Sequence, residues 1–597
     1  MDRKFIKSIL FLFVISFTIS KQAYPLSVET HETINETVAK GTMNGFSLDS
    51  YLKTNLGISD GVNAIFNDKD NKTNKVFDWI RLGGEFEDAP PENTIPYRRS
   101  RNHFHNPLLP WDQAYYTGFL SLCDIGHCPV SAILWAQGPQ KSDFALGFDL
   151  NPGGDWSWQQ VRNYYLLALT SSLKTDRDTN FAQTFRGMGQ LMHLVHDMSV
   201  PEHTRNDFHA FGGYEGWVVS PVNVNISSYT PVFFGGAINS ISNLFDTDQY
   251  TNTSGPGVTT NSNIGLAEYT NANFFSEDTI NANNFTYPDI TQTTITDRNF
   301  TNTLWNTTYP REYYLKNCCG ETNIVSSETK GYLLAAVDFL DYYRQQYPSL
   351  SFALPKIPVL DDNVYRDYAS LLLPRAVGYS AGLLNYFFRG QLQVTRSQGG
   401  LKIKNINQEI MESGTISIYY DHIVNNDPNN IQRTALASQT LPAPLEPVQE
   451  IIISFTPPPD NIKPYRYIVV FYGKLGNEEG AVIGKITQPM QIFYVSKRSG
   501  IDKIYRMDID GSNQTVVYDN QQPDTEIQIG KLAVLSDGTK LAYTIATPNP
   551  PYYNIYLLDL TIPVSGSNPT FLTQGDWPSF SPDGTKLYAS NWTAHDV

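Results

Sequence analysis

Charge is scarce in this chain. Asp, Glu, Lys and Arg together make up 17% of its 597 residues, and the formal net charge is −16. No long basic run occurs, which excludes electrostatic capture of nucleic acid along a broad surface. A compact site that takes a phosphate through metal ions is not excluded. Beyond the first residues no stretch is long and apolar enough to span a bilayer. No Cys follows the N-terminal apolar run, so nothing indicates a lipoprotein anchor. Cysteine is limited to four residues and histidine to ten. Polarity comes instead from Asn, Thr, Ser and Tyr, a composition that suits loop-rich and β-rich extracellular proteins.

What is present begins with an export signal. Arg3, Lys4 and Lys7 precede an apolar run over residues 8–20 that is too short for a membrane span. A signal peptide over residues 1–24 is expected, with cleavage between Ser20 and Ser27 and a secreted or periplasmic destination. Export makes disulfides available. Cys123 and Cys128 flank a short turn and are expected to pair, because the cluster around His127 lacks a second pair of metal ligands. Cys318 and Cys319 are adjacent, and spacing alone does not assign their partners.

The length implies several domains. Residues 25–390 read as mainly α-helical, with apolar residues at helical spacing over 157–174, 180–198, 327–347 and 365–388. An Asn/Thr/Ser-rich insert over 218–308 reads as a solvated surface excursion with a short helix near residues 265–275. Residues 401–487 hold β-branched and aromatic runs at 416–420, 450–455 and 465–471 and are expected to form a β-sandwich. From residue 490 to the end a repeat appears: Leu535-Ser-Asp-Gly-Thr-Lys-Leu-Ala-Tyr543 aligns with Ser581-Pro-Asp-Gly-Thr-Lys-Leu-Tyr-Ala589, and Asp537 and Asp583 lie 46 residues apart. These segments resemble propeller blades of Tol-type periplasmic proteins. About two blades are present where closed propellers have at least ~4, so a partial array or a truncated one is expected.

The histidines are not scattered. His103, His105, His193, His196, His203 and His209 fall in two compact segments. His193 and Asp197 are one helical turn apart and can bind a metal from one face. Pro201 ends that helix, and His203 follows where a turn can return it to a neighbouring ion. Glu215 lies just beyond.

These segments resemble the zinc-dependent phospholipase C superfamily, which also contains single-strand-specific zinc nucleases. The family's His-x3-Asp-x5-His motif is matched by His193, Asp197 and His203. Its His-Phe-x-x-Pro is matched by His103-Phe-His-Asn-Pro107, preceded by Asp88 fifteen residues upstream. His31 fits the family's histidine near the mature start. The chain departs from the family twice. His209 and Glu215 are separated by five residues where the family has three, and no Trp lies near the cleavage region to supply the family's N-terminal amine ligand.

The resemblance implies a mostly helical domain holding up to three Zn2+. Asp88, His103, His193 and Asp197 would hold one ion, His31 and the bridging Asp197 a second, and His203, His209 and Glu215 a third. It further implies a secreted phosphodiester hydrolase of phospholipase C type, in which metal-activated water attacks phosphorus and Asp88 is the catalytic base. His105 and His196 are read as supporting or surface residues. Glu202 and Asp207 are read as supports for ligand histidines or as solvated charges. The substrate expected is a phospholipid or another phosphodiester, with a surface or protein partner met through the β domains. The alternatives are a zinc nuclease on the same scaffold, or a non-catalytic surface-binding protein with a decayed site.

Overall fold

The computed structural model describes residues 28–89, 99–118, 121, 123, 127–141, 153–209, 212–218, 224–251, 263–280, 282–302, 307–316, 331–347, 355–397, 399–425, 427–456, 458, 466–487, 491–498, 500–508, 514–519, 528–535, 540–548, 551–560, 569–581 and 584–590. The signal segment 1–24, Cys318, Cys319 and the repeat turns at Asp537-Gly538 and Asp583 lie outside them. A helical region is followed by antiparallel sheets, and the chain divides into two compact units. The first comprises Met1–Tyr51, Asp60–Tyr165 and Asp178–Arg389; the second comprises Leu52–Ser59, Leu166–Arg177 and Gly390–Val597. No described helix is long and apolar enough to cross a membrane.

In the first unit, the helices that position the site are Val28–Lys40, Val76–Asp88, Lys174–Asp197 and Asp362–Phe388. The longest starts on Asp361, whose carboxylate accepts the Asn363 and Val364 amides at 3.1 and 3.0 Å, a standard N-cap. The Val76–Asp88 and Lys174–Asp197 helices approach backbone to backbone through two glycines. A Cβ at Gly83 would sit 2.2 Å from the Arg186 carbonyl oxygen, and one at Gly189 would sit 2.1 Å from that of Ile80.

Two readings of this unit need correction. The helix expected over 327–347 is not formed over its described part, residues 331–347. Tyr332–Val337 is a strand with all six residues buried, followed by the short helix Asp341–Gln346. A continuous apolar run covered on both sides has no periodicity that separates strand from helix. The strand joins Thr294–Asn302, Thr307–Lys316 and Pro358–Val359 in a four-stranded antiparallel sheet. The insert is not wholly a solvated excursion either, because residues 264–276 are buried. Polar side chains there satisfy backbone: the Glu268 carboxylate accepts the amides of Thr247, Gln249, Tyr250 and Gly265 at 2.6–2.9 Å. Polar composition signals exposure only where such partners are lacking.

In the second unit two sheets enclose one core. One orders Glu450–Ser454, Gly400–Asn405 and Leu392–Ser397; the other orders Asp427–Thr440, Met411–Val424, Arg466–Leu475 and Glu478–Ile486. Ile416, Ile418, Val469 and Phe471 fill the space beneath, with Leu401, Ile403 and Ile453. Asp421 stands in register with Arg433 on one neighbouring strand and Arg466 on the other. Its carboxylate takes Arg433 Nε and Nη2 at 2.7 and 2.9 Å and Arg466 Nε at 2.8 Å. Burial opposes its charge, but the two guanidiniums win and lower the carboxyl from 3.8 to about 2. A depressed carboxyl stabilises the fold above its unfolded value, and that stability goes as pH falls through the folded one. The expected result is a loss of about 2 kcal/mol between pH of about 4 and about 2. Denaturant unfolding should show that this loss is absent in Asp421→Asn, which is already destabilised by about 3 kcal/mol at neutral pH because two guanidiniums lose their shared counter-ion.

The C-terminal described strands form three-, four- and two-stranded sheets over a separate small core around Ile504, Leu541, Tyr543 and Leu558. Both copies of the Ile-Tyr repeat lie on strands, Lys503–Asp508 and Pro551–Asp559. Among the described residues no closed propeller is formed. Cys123 and Cys128 are joined by a disulfide.

Candidate metal centre

Six chain segments converge in the first unit. His31 lies in the first turn of Val28–Lys40, and Asp88 is the last residue of Val76–Asp88. His103 follows the single turn Ser100–Asn102. His193 and Asp197 occupy the end of Lys174–Asp197. Pro201 opens the short helix that carries His203, because a proline at the first helical position gives up an amide that has no partner there anyway. The amide of His105 donates to the His203 carbonyl at 3.0 Å, tying two of the segments together.

Three groups of donors result: His31, His193 and Asp197; Asp88, His103 and His193; and His203, His209 and Glu215. Within each, one atom per residue lies within 4.8 Å of the others. Tetrahedral zinc with nitrogen at ~2.0–2.1 Å needs ligand atoms about 3.3 Å apart, so the spacing within each group is near what an ion requires. Asp197 belongs to the first group and faces members of the other two. Its Oδ2 lies 3.1 Å from His103 Nδ1 and 3.3 Å from His193 Nε2, while Oδ1 lies 3.7 Å from His31 Nε2 and 3.5 Å from His203 Nδ1. His31 and His193 stack with centroids 3.7 Å apart. His209 Nε2 meets Glu215 Oε2 directly.

Between His209 and Glu215 the described chain turns at Gly213. Its φ of +82° is open to glycine, and a Cβ there would sit 2.4 Å from Glu202 Oε1. The chain then enters the helix Gly213–Val218 with Glu215 in its first turn.

Three outer ring nitrogens have close polar partners. His193 Nδ1 donates to the Gly84 carbonyl at 2.7 Å and His209 Nδ1 to that of Asp207 at 2.9 Å, which turns both Nε2 atoms inward. His31 Nδ1 is 3.0 Å from His196 Nδ1. His103 Nε2 faces Glu87 at 3.6 Å. That glutamate takes Arg99 Nε and Nη2 at 3.1 and 2.9 Å and Trp135 Nε1 at 2.9 Å. Partners of this kind fix ring orientation and tautomer at metal sites. Glu87 and Gly84 were not singled out from sequence. The Glu-Asp pair that ends the helix is a signal for Glu87, whereas a backbone carbonyl leaves none.

Of the two readings of His196 and His105, supporting or surface, burial excludes the second: they are 1% and 0% exposed. His105 Nε2 donates to Asp246 at 2.8 Å, well into the insert. Glu202 is buried and accepts the Tyr214 amide at 2.7 Å, and Asp207 accepts the Asp278 amide at 3.1 Å; neither is a solvated charge.

Electrostatics reinforce the picture. Burial pushes His31 well below its ordinary value, and burial with the charge of His193 takes His196 down to about 3. Burial also opposes charge on His103, but Asp197, Glu87 and Asp88 outweigh it and hold the ring at about 10. His209 is held at about 10 against burial by Glu215 and Glu202. Burial raises Asp88 well above the usual carboxylate range. Asp197 is held far below it, against burial, by His193, His103 and His203.

The donor set fits metal. Among the described residues both oxygens of Asp88, both of Asp197, His31 Nε2 and His203 Nδ1 have no hydrogen-bond partner, and all are buried. Each such atom costs about 1–3 kcal/mol, more when charged, a cost that cations coordinated between them would remove.

No protein-family model matches the chain, and no curated protein matches it. Among solved structures it is similar to the alpha-toxin of Clostridium perfringens, avian strain SWCP, at 12% identity over 81% of this chain and 92% of that one, with a TM-score of 0.19. It is similar to the alpha toxin of Clostridium absonum at 11% identity over 83% and 96%, with a TM-score of 0.20. It is similar to TolB of Acinetobacter baumannii at 14% identity over 50% and 74%, with a TM-score of 0.14. Likeness at this level does not bear on activity, which has to be read from the side chains.

Proposed function

We propose that this chain is an exported, zinc-dependent phosphodiester hydrolase of phospholipase C type. The observation that carries the reading is the buried Asp197 carboxylate, with one oxygen toward His103 and His193 and the other toward His31 and His203. A carboxylate shared in this way is suited to a cluster of ions, and clusters suit phosphoryl transfer. Zinc, when bound, supplies positive charge for phosphoryl oxygens and lowers the pKa of water.

The chain's own residues do the rest. Asp88, with both oxygens free of hydrogen bonds among the described residues, is the acceptor for the proton of the attacking water. The Glu87–Arg99–Trp135 network holds His103 in place. His209, at 11% the most exposed side chain of the eight, marks the solvent side of the cluster. The apolar start directs export, and the β unit meets a surface or protein partner.

The test is zinc per chain by elemental analysis, followed by turnover of short-chain phosphatidylcholine and of single-stranded nucleic acid. Two or three ions with lipid cleavage support the reading. Nucleic-acid cleavage alone moves it to a nuclease, and no stoichiometric zinc under metal-replete conditions rejects it. His209→Ala is expected to lower zinc by about one ion per chain and to leave the Asp88 and His31 groups loaded.

A further inference from the structure

Beside the cluster lies a cleft of about 500 Å³. It shares a wall with the metal centre, because the segment from Arg205 to Phe208 joins His203 to His209, and the Asp207 carbonyl accepts from His209 Nδ1.

Arg205 is 2% exposed. Its guanidinium donates through Nε to Thr279 Oγ1 at 2.6 Å and through Nη1 to the carbonyls of Asn271 and Tyr287 at 2.6 and 3.0 Å. It lies 4.0 Å over the Phe285 ring. Its Nη2 has no hydrogen-bond partner among the described residues. The cleft is also lined by Asp207, Asp278, Asn284 and the half-exposed ring of Phe208.

This lining discriminates by charge. The carboxylates of Asp207 and Asp278 oppose an anionic head group, and the Arg205 guanidinium offsets part of the attraction they would exert on a cationic one. A neutral head group carrying several hydroxyls avoids both, since each hydroxyl accepts from an amide such as Asn284 and donates to a carboxylate such as Asp278. A ring of C–H groups also packs on Phe208. We propose that this cleft is the head-group site and that it takes a neutral polyol, of the inositol class, esterified to the phosphate. The inference rests on the hydrolase reading for its placement, but none of the side chains that line the cleft is a metal ligand.

The experiment compares kcat/KM of the zinc-loaded full chain on short-chain phosphatidylinositol and phosphatidylcholine, and measures binding of free myo-inositol by NMR titration. Asn284→Leu and Asp278→Leu are tested beside the wild type, with zinc content as the check on folding. The inositol ester is expected to be preferred by at least about tenfold, since a site built to pair hydroxyls rejects a head group without them. Both variants should bring the ratio toward one and weaken myo-inositol binding while retaining zinc. Preference for the choline ester, or a ratio unchanged in both variants, overturns the proposal. If no diester is cleaved but myo-inositol binds and the variants lose it, the cleft stands and the hydrolase reading falls. If diesters are cleaved without preference and myo-inositol does not bind, the hydrolase stands and the polyol site falls.

Discussion

Asp197→Asn is expected to remove at least two zinc ions per chain and to lower phosphodiester turnover by about 10³-fold or more. The substitution changes little in volume, so its effect is electronic. Both carboxylate oxygens are buried, face four histidines at 3.1–3.7 Å and find no hydrogen-bond partner among the described residues. An amide offers one weak ligand oxygen, and its NH2 group would point at histidine nitrogens or a cation. His103 and His193, whose charge Asp197 helps to sustain, would also lose their main counter-ion. Elemental analysis and circular dichroism separate the outcomes. Loss of zinc with retained helicity is expected. Full zinc content in the mutant would show that Asp197 is not shared between ions.

Gly189→Ala is expected to destabilise the first unit by about 3 kcal/mol and to weaken zinc binding by about 10–100-fold. The new methyl would sit 2.1 Å from the Ile80 carbonyl oxygen and 2.9 Å from the Gly83 Cα, both backbone atoms that cannot rotate away. The helices must therefore separate. One of them carries Asp88 and the Gly84 carbonyl, the other His193 and Asp197, and the 2.7 Å bond from His193 Nδ1 to Gly84 spans the gap. Ligands held within a few ångströms do not tolerate a shift of that size. Gly216→Ala is the control, since a Cβ there meets nothing within 4 Å. Thermal unfolding and competition with a zinc chelator measure both effects. A Gly189→Ala protein with unchanged zinc affinity would mean that the helix contact does not set the site.

Helices and the principal β runs were legible where one face is apolar and the other wet. The run at 416–420 lies on a described strand, as do residues 450–454 and 466–471 of the other two; Phe455 follows its strand, and Tyr465 lies outside the described residues. The strand Tyr332–Val337 was misread because burial on both faces erases the pattern. The hairpin of Met411–Val424 and Asp427–Thr440 extends far beyond its apolar segment, into Asn-, Gln- and Ser-rich sequence with little local strand signal.

The sequence by itself determined the chemical inventory: which histidines and acids are available, the helical turn that puts His193 and Asp197 on one face, and the proline that stops the helix before His203. Local spacing suffices for these because the backbone period is fixed over a turn. Only the tertiary structure decided how Asp88, His31 and His103 meet that turn, and that Glu87, Gly84 and His196 stand behind them. It also decided that the Asn-rich insert reaches His105 through Asp246 and Arg205 through Asn271. Those contacts join residues tens to more than a hundred positions apart, and the meeting of the helices that carry Asp88 and His193 depends on how closely two glycines let them approach, which no local period encodes.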